Sequence, residues 1–278
     1  MKSILFLFFL LSFVNSHGDL LFSRRHSRHT RSIPSAEKPH CVPRKHRDAQ
    51  VLSLHNDAVH TNTCGPTGAT DWTTATSGKM GCIDYFNCGI EGSGWTPPYM
   101  SMDQVAPHMA DLSEAIKKPD SPFKPCEPFL PIFQKCAQTF GVPSILIASF
   151  ALQESTCNPS TTGGAGEVGL MQLTPDKCHD APNGDCYDPE FNILAGCKYF
   201  SKQLAANNGD FLLTCGNYNG WFKGMTYADA TAAANGSCCR CQNNLDYLHQ
   251  LLNGWLQNVN AYDQNHRLGK YFNLDKCH

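Results

Sequence analysis

One glutamate, Glu154, ends a run of apolar residues and has the best setting in this sequence for acid–base chemistry. The run reads PSILIASFAL and extends from Pro143 to Leu152. A carboxyl group that lies against apolar surroundings loses hydration, and this loss raises its pKa towards the range of a general acid. The alternative is an ordinary solvated glutamate beyond a buried helix, or one paired with a lysine.

The segment that carries Glu154 has the length of a helix rather than of a strand. Pro143 suits the first turn of a helix, and the residues that follow leave almost no polar face, so the sequence predicts a buried helix over 143–155. Cys157 and the Asn-Pro pair after it end the segment. Glu154 then falls in the last turn, where the negative end of the helix dipole also disfavours the ionised carboxylate.

A glycine-dense stretch, TTGGAGEVG at residues 161–169, follows the helix. Such a stretch is typical of tight turns or of a backbone that comes close to a ligand. Leu170, Met171 and Gln172 come directly after it. The amide of Gln172 offers donors and an acceptor, which suit the hydroxyl and N-acetyl groups of sugars.

These residues resemble the catalytic stretch of the soluble lytic transglycosylases and of the related goose-type lysozymes. The first block is Glu154-Ser155 with the later Gly-Leu-Met-Gln that ends at Gln172. DPEFNILAGCKYF at 188–200 and GNYNG at 216–220 resemble the next two blocks of the family, in the same order. The resemblance covers about residues 126–222, and the continuation to the C-terminus is similar to secreted fungal proteins with this domain.

The resemblance implies that Glu154 is the single catalytic acid/base in the cleavage of β-1,4 bonds between N-acetylated sugars, most of all those of peptidoglycan. The lytic branch of the family closes an anhydro ring with the C6 hydroxyl of the substrate, whereas the hydrolytic branch uses water. The residues implied in substrate binding are Ser155, Met171, Gln172, Tyr218 and Asn219. For Ser155 a packing role at the helix end stays open, and Asn219 positions either the loop or the substrate.

Most glycosidases use two carboxylates, so a second one is expected near Glu154. Glu167, inside the glycine-dense stretch, is the first candidate, and it would orient a water or stabilise positive charge. Asp176 and Asp188 are weaker candidates. A solvated loop carboxylate is an equally good reading of Glu167.

The N-terminus predicts secretion. Residues 1–16 combine a basic start, an apolar core and small residues at the end, which is typical of a signal peptide. Residues 17–40 form a basic leader or a processed pro-segment, and no other segment is long and apolar enough to cross a membrane. All fifteen cysteines follow the signal peptide and predict disulfides, with Cys41 as the expected unpaired one. Asn235-Gly-Ser is a glycosylation sequon.

The charge balance bears on the substrate. The chain has 22 basic and 24 acidic residues, and removal of residues 1–31 leaves 17 and 23. An acidic body argues against nucleic acid as a partner, and it conflicts with an anionic cell wall as substrate. An acidic pH optimum would reduce this conflict, and a neutral polymer such as chitin would remove it. A carbohydrate-binding protein without turnover is another alternative, because Asn217 replaces the alanine that the family has before Tyr218.

The sequence predicts a mainly α-helical fold: a lysozyme-like domain over 111–278 with one irregular or β element, preceded by a small disulfide-tied segment at 41–110. Helices are expected from residue 126, at 190–206, at 209–217 and around 245–259. In the small segment Trp72, Tyr85 and Trp95 either bind carbohydrate or fill a small core. We expect a monomer with a polysaccharide substrate, without a membrane partner, a cofactor or a metal.

Overall fold

The computed structural model describes residues 64–164 and 166–277, which are mainly helical. The predicted signal peptide, the leader and Cys41 lie outside the described residues. The helices are α1 Ile83–Phe86, α2 Met102–Val105, α3 Leu112–Lys117, α4 Leu130–Phe140, α5 Ser144–Ser155, α6 Pro189–Ala206, α7 Phe211–Tyr218, α8 Tyr227–Ala230 and α9 Tyr247–His249. No helix of this part of the chain is long and apolar enough to cross a membrane.

Helix α5 lies at the centre of the fold. Nine of its twelve residues are buried, because its sequence is apolar on every side. Helices α4 and α6 pack against it and against each other. The disulfide Cys136–Cys197 joins α4 to α6 across this contact. The predicted buried helix is confirmed, although Pro143 precedes its first turn instead of lying within it.

The C-terminal helix changes its hydrogen-bond pattern twice. After α9 the chain forms a π-helical turn at Gln250–Gly254 and a 3-10 turn at Trp255–Gln257. This stretch packs on α5, and the buried face runs from Leu248 to Leu256. Val259 lies beyond the last turn and is only partly buried. Wide π turns are frequent near functional sites, since they displace side chains from the regular helical positions.

The residues between 64 and 100 contain one short antiparallel pair, β1 Ser77–Gly78 with β2 Gly81–Cys82. Of the three aromatic side chains considered for carbohydrate binding, two fill the core: Tyr85 is buried, and the Trp95 indole donates to the Phe86 carbonyl at 2.9 Å. Trp72, in contrast, is exposed. The small core is the correct reading for two rings out of three.

The segment around β1 and β2 is attached to the C-terminal helix by buried polar contacts. Asn253 accepts from the Met80 amide at 3.0 Å and donates to the Gly81 carbonyl at 2.9 Å. The buried imidazole of His249 lies 3.0 Å from the Ala75 carbonyl through Nε2. These contacts bring the two ends of the described chain together beside α5.

Six disulfides are formed between described cysteines. They are Cys64–Cys88, Cys126–Cys157, Cys136–Cys197, Cys178–Cys186, Cys238–Cys241 and Cys239–Cys277. Cys82 is also disulfide-bonded. Among the described residues the free thiol is Cys215, which is buried in α7.

Candidate active site

The C-terminal end of α5 is held in place from two sides. Thr156 and Cys157 both adopt the left-handed conformation, with φ of 54°, and this ends the helix directly after Ser155. The Cys126–Cys157 disulfide fixes the chain at that point. The Ser155 hydroxyl is placed between two carbonyl groups, that of Ala151 at 2.8 Å and that of Leu170 at 2.9 Å. The last turn of α5 is therefore tied to the segment after the glycine-dense stretch.

Glu154 is half-buried in this last turn, and its carboxyl accepts a hydrogen bond from the Tyr247 hydroxyl at 3.0 Å. Burial raises the pKa of Glu154 to about 7, the Tyr247 hydrogen bond opposes the rise, and the negative charge of Glu167 adds to it. Burial and the charge of Glu154 also hold the pKa of Tyr247 well above its usual range, so this phenol remains a donor. A carboxyl with such a pKa is protonated in half of the molecules near neutral pH, as a general acid requires.

The glycine-dense stretch forms a small irregular β element. Thr162 pairs with Val168, and Val168 pairs with Leu173, both in antiparallel bridges. The Gly163 amide donates to the Glu167 carbonyl at 2.7 Å, which closes the loop. The expected irregular or β element is therefore present at the expected place. It brings the side chains of the loop next to the end of α5.

Glu167 and Gln172 lie together against Gly163. A methyl group on Gly163 would be 2.3 Å from the Glu167 Oε2 and 2.6 Å from the Gln172 Oε1, so an alanine there would displace the ends of both side chains. Because the charge of Glu167 acts on the pKa of Glu154, the two carboxyls belong to one site. The backbone of Gln172 has a φ of 47°, and its side-chain Nε2 donates to the Gly169 carbonyl at 2.8 Å. In this structure the Gln172 donors thus hold the loop.

Met171 and Ser155 point into the protein. Met171 is buried, and a methyl group on Gly196 of α6 would touch its side chain at 2.9 Å. Its amide donates to the side chain of Asn192 at 2.8 Å, and Asn192 also donates to the Val168 carbonyl at 3.0 Å. The geometry gives Met171 and Ser155 positions behind the site, where they support it. Asn192, which we had not singled out as a site residue, anchors the loop to α6.

Tyr218 forms another wall of the site. Its ring stacks on Phe150 of α5 with centroids 4.3 Å apart and planes at 3°. Its hydroxyl donates to the Met171 carbonyl at 3.2 Å. Burial raises its pKa well above the usual value, and the negative charge of Glu154 contributes, which places Tyr218 near the carboxyl. The side chain of Asn217 donates to the Trp221 carbonyl at 2.8 Å and so stabilises the turn after α7.

Asn219 connects this turn to the C-terminal segment. Its side-chain oxygen accepts from the Asn244 amide at 3.0 Å and from the Trp221 indole at 3.2 Å. Its carbonyl accepts from Asn243 at 2.8 Å. Asn219 therefore acts on the loop, which is one of the two roles expected for it. The segment that it holds leads directly to Tyr247.

The C-terminal part of the chain adds residues that sequence reasoning missed. Gln153 donates to Gln250 at 3.2 Å, beside Glu154. Partial burial raises the pKa of Tyr262 to about 12, and the negative charge of Glu154 adds to the rise. Gln250 and Tyr262 line a concavity of about 640 Å³ that also has Arg240. Only the apolar periodicity around 245–259 pointed to this region, and it does not reveal which polar groups turn towards Glu154.

The site contains one carboxyl, Glu154, with a pKa of about 7, and a second carboxyl, Glu167, whose charge acts on the first. Aromatic side chains form part of its wall. This combination suits proton transfer to an oxygen that leaves, with a nearby negative charge that stabilises a developing cation. Between residues 64 and 277, where side chains are described, no group of three or more His, Cys, Asp or Glu is arranged to hold a metal ion.

Residues 131–233 match the family model described as the Transglycosylase SLT domain. The membrane-bound lytic murein transglycosylase F of Hahella chejuensis is 36% identical over 74 residues, which is 27% of this chain and 14% of that protein. A transglycosylase of Enterobacteria phage PRD1 is 39% identical over 59 residues, which is 21% of this chain and 22% of that protein. The chain thus spans less than a quarter of the length of these relatives.

Two solved structures match this chain over about half of its length. The 70-kDa soluble lytic transglycosylase of Escherichia coli has 20% identity and a TM-score of 0.32, over 49% of this chain and 26% of that one. The lytic transglycosylase Slt of Pseudomonas aeruginosa, an inactive mutant, has 21% identity and a TM-score of 0.30, over 46% and 22%. The resemblance read from the three sequence blocks is confirmed by the family match. Residues 131–233 of this chain are thus similar to the transglycosylase SLT domain.

Proposed function

We propose that this protein is a secreted glycosidase that cleaves β-1,4 bonds between N-acetylated sugars of peptidoglycan, with Glu154 as its general acid and base. The observation that carries the proposal is the Glu154 carboxyl, which has a pKa of about 7 and a hydrogen bond from Tyr247 within an SLT domain. The relatives named above, a lytic murein transglycosylase and a phage transglycosylase, support the reaction class.

In the first step the protonated Glu154 gives its proton to the glycosidic oxygen while the bond from that oxygen to C1 breaks. The sugar that keeps C1 becomes positively charged, and Glu154 becomes a carboxylate. The Tyr247 hydroxyl stabilises this carboxylate by the hydrogen bond that it already donates. Protonation of the leaving group by a positioned acid contributes about 10²- to 10⁴-fold to the rate of such reactions.

In the second step the Glu154 carboxylate takes a proton from the nucleophile. If this is the C6 hydroxyl of the same sugar, O6 bonds to C1 and the product is an anhydro sugar, with no water consumed. If it is water, the product is a reducing sugar. Glu167 is proposed as the charge that stabilises the positive sugar between the steps, because its charge already acts on Glu154.

The direct test compares the full-length protein with Glu154→Gln on purified peptidoglycan. We expect loss of at least about 100-fold in activity while the thermal transition remains cooperative. Glu127, exposed and remote in sequence, provides the control variant Glu127→Gln, which should keep full activity. Retained activity in Glu154→Gln would contradict the assignment.

Mass analysis of the products decides between the two second steps. Products lighter by one water indicate the lytic route, and Glu167→Gln should then slow the reaction without changing the products. If Glu167 orients water instead, the wild-type products carry that water.

The substrate is tested with the same enzyme on purified chitin. Turnover of chitin with none of peptidoglycan would replace the proposed polymer by a neutral one, as the acidic charge suggests. Binding to either polymer without products at any pH would instead favour the binding-only alternative. Against that alternative stands the raised pKa of Glu154, which binding does not require.

Secretion rests on the signal-like residues 1–16 and on the six disulfides, since disulfides of this number persist in oxidising compartments. Asn235 of the sequon is exposed at the end of a 3-10 turn, where it is accessible to glycosylation. Expression in a secreting host should give a processed N-terminus. Retention of residues 1–16 in the exported protein would contradict the proposal.

A further inference from the structure

A second concavity, of about 570 Å³, lies apart from Glu154 and has no role in the proposed reaction. Three segments that are distant in sequence form it: residues 71–79, 108–110 and 257–268. We call it the Trp72 groove, and its lining includes Asp71, Trp72, Lys79, His108, Asp263 and His266.

Trp72 provides the groove with an aromatic surface. The ring is 64% exposed, whereas the other three tryptophans, Trp95, Trp221 and Trp255, are at most 2% exposed. The backbone around it is fixed, because the Thr70 hydroxyl donates to the Trp72 carbonyl at 2.8 Å. An indole on a fixed backbone loses little conformational entropy when it stacks on a ligand.

The polar groups of the groove are of mixed charge. The groove is lined by the carboxylates of Asp71 and Asp263, by the ammonium of Lys79, and by the imidazoles of His108 and His266. The two carboxylates disfavour phosphate or another polyanion, and the single ammonium does not make an anion site. The turn with Asp263 is ordered, since its carboxylate accepts from the Asn265 amide at 2.8 Å. An aromatic face with donors and acceptors of low net charge suits an uncharged sugar.

The turn at residues 260–268 contributes to both concavities. Tyr262 in this turn lines the concavity that contains Gln250, and its ring packs on that of Trp255 with centroids 5.0 Å apart. The next residue, Asp263, lines the Trp72 groove. A single turn of the chain therefore separates the groove from the concavity of Gln250, which accepts a hydrogen bond from Gln153, the neighbour of Glu154.

We propose that the Trp72 groove is a second glycan-binding site, in which the Trp72 ring stacks on a sugar of the polymer that Glu154 cleaves. The inference rests on the proposed function for the identity of the polymer. The site holds insoluble glycan close to the enzyme, and a short soluble substrate that occupies only the Glu154 site gains nothing from it.

Intrinsic fluorescence provides a selective test, because Trp72 is the tryptophan that solvent reaches. In the Glu154→Gln protein, soluble N-acetylglucosamine oligomers should protect the fluorescence against iodide quenching. Trp72→Ala in the same background should remove the iodide-sensitive part and weaken binding of insoluble glycan about two- to tenfold. The control is Tyr99→Ala, a ring that is 42% exposed and lines neither concavity, and it should bind as before.

Turnover distinguishes binding from a structural effect. Trp72→Ala in the otherwise wild-type protein should raise the KM on insoluble wall material and leave kcat/KM on short soluble oligomers unchanged. Equal loss on both substrates would show a structural role and overturn the proposal. Protection from iodide that depends on protein concentration without glycan would assign the groove to a second copy and would also overturn it.

The fluorescence and pull-down arms do not require turnover. If the wild type cleaves no glycan, the proposed function fails, and loss of glycan binding in Trp72→Ala still supports the groove. If the wild type cleaves glycan and Trp72→Ala binds and cleaves like the wild type, the groove is refuted and the proposed function stands.

Discussion

Replacing Glu154 by glutamine should stabilise the protein at pH 8 and leave its stability almost unchanged at pH 4. The pKa of Glu154 rises from 4.5 to about 7 on folding, mainly because of burial. The folded state therefore binds more protons than the unfolded state between these values, so the stability from this group is full below 4.5 and is lost as the pH rises through 7. Glutamine is uncharged and still accepts a hydrogen bond from Tyr247.

The magnitude follows from the two pKa values. A difference from 4.5 to about 7 corresponds to about 3 kcal/mol, and the half-buried position of the carboxyl lowers the gain to about 2 kcal/mol. For a chain of this size, 2 kcal/mol raises the Tm by about 4 to 8 °C. The gain appears only where the wild-type carboxyl is ionised in the folded protein.

Differential scanning calorimetry of both proteins at pH 4, 6 and 8 measures this. The Tm difference should be close to zero at pH 4, intermediate at pH 6 and largest at pH 8. The surface control Glu127→Gln should show no such trend. A gain that is equal at all three pH values, or no gain at pH 8, would refute the view that burial strains the ionised Glu154.

Three further changes test other parts of the structure. Tyr247→Phe removes a hydrogen bond that lowers the pKa of Glu154. The pH above which activity declines should therefore rise by about one unit. An unchanged pH–rate profile would show that the active enzyme does not use this hydrogen bond. Gly163→Ala should displace the side chains of Glu167 and Gln172 and so reduce kcat at least about tenfold, with little change in Tm. The control is Gly92→Ala, at a position with no neighbouring atom within 4 Å, which should change neither kcat nor Tm. Burial lowers the pKa of His249 from 6.5 to about 4, so stability should fall by up to about 3 kcal/mol as the pH drops from 6.5 to 4. In His249→Gln the free energy of unfolding, measured by chemical denaturation, should depend less on pH over this range. The same dependence on pH in both proteins would contradict a role of His249.

The sequence was sufficient for the features that local patterns determine. An apolar run with a single carboxyl at its end predicts both the buried helix and the raised pKa of Glu154, because both follow from the same lack of polar neighbours. The glycine-dense stretch likewise predicts its irregular loop.

Contacts between distant segments were beyond the sequence. Nothing near Tyr247 marks its hydroxyl as the donor to Glu154, since the π turn and the Asn219 contact that orient this region depend on the whole fold. The sequence motif also does not show which of its side chains reach the cleft, since Ser155 and Met171 are buried in the protein. Disulfide pairing depends on the same long-range geometry, and no local pattern marks Cys215 as the free thiol among the described cysteines.

The contact between Tyr247 and Glu154 has a consequence for modularity. The family match ends at residue 233, before the Tyr247 hydroxyl that donates to the Glu154 carboxyl. A fragment cut at that boundary would keep every recognised motif and lose the partner of Glu154, together with the Cys239–Cys277 staple that holds the tail. The unit that can be transplanted into another protein is thus longer than the unit that sequence matching recognises.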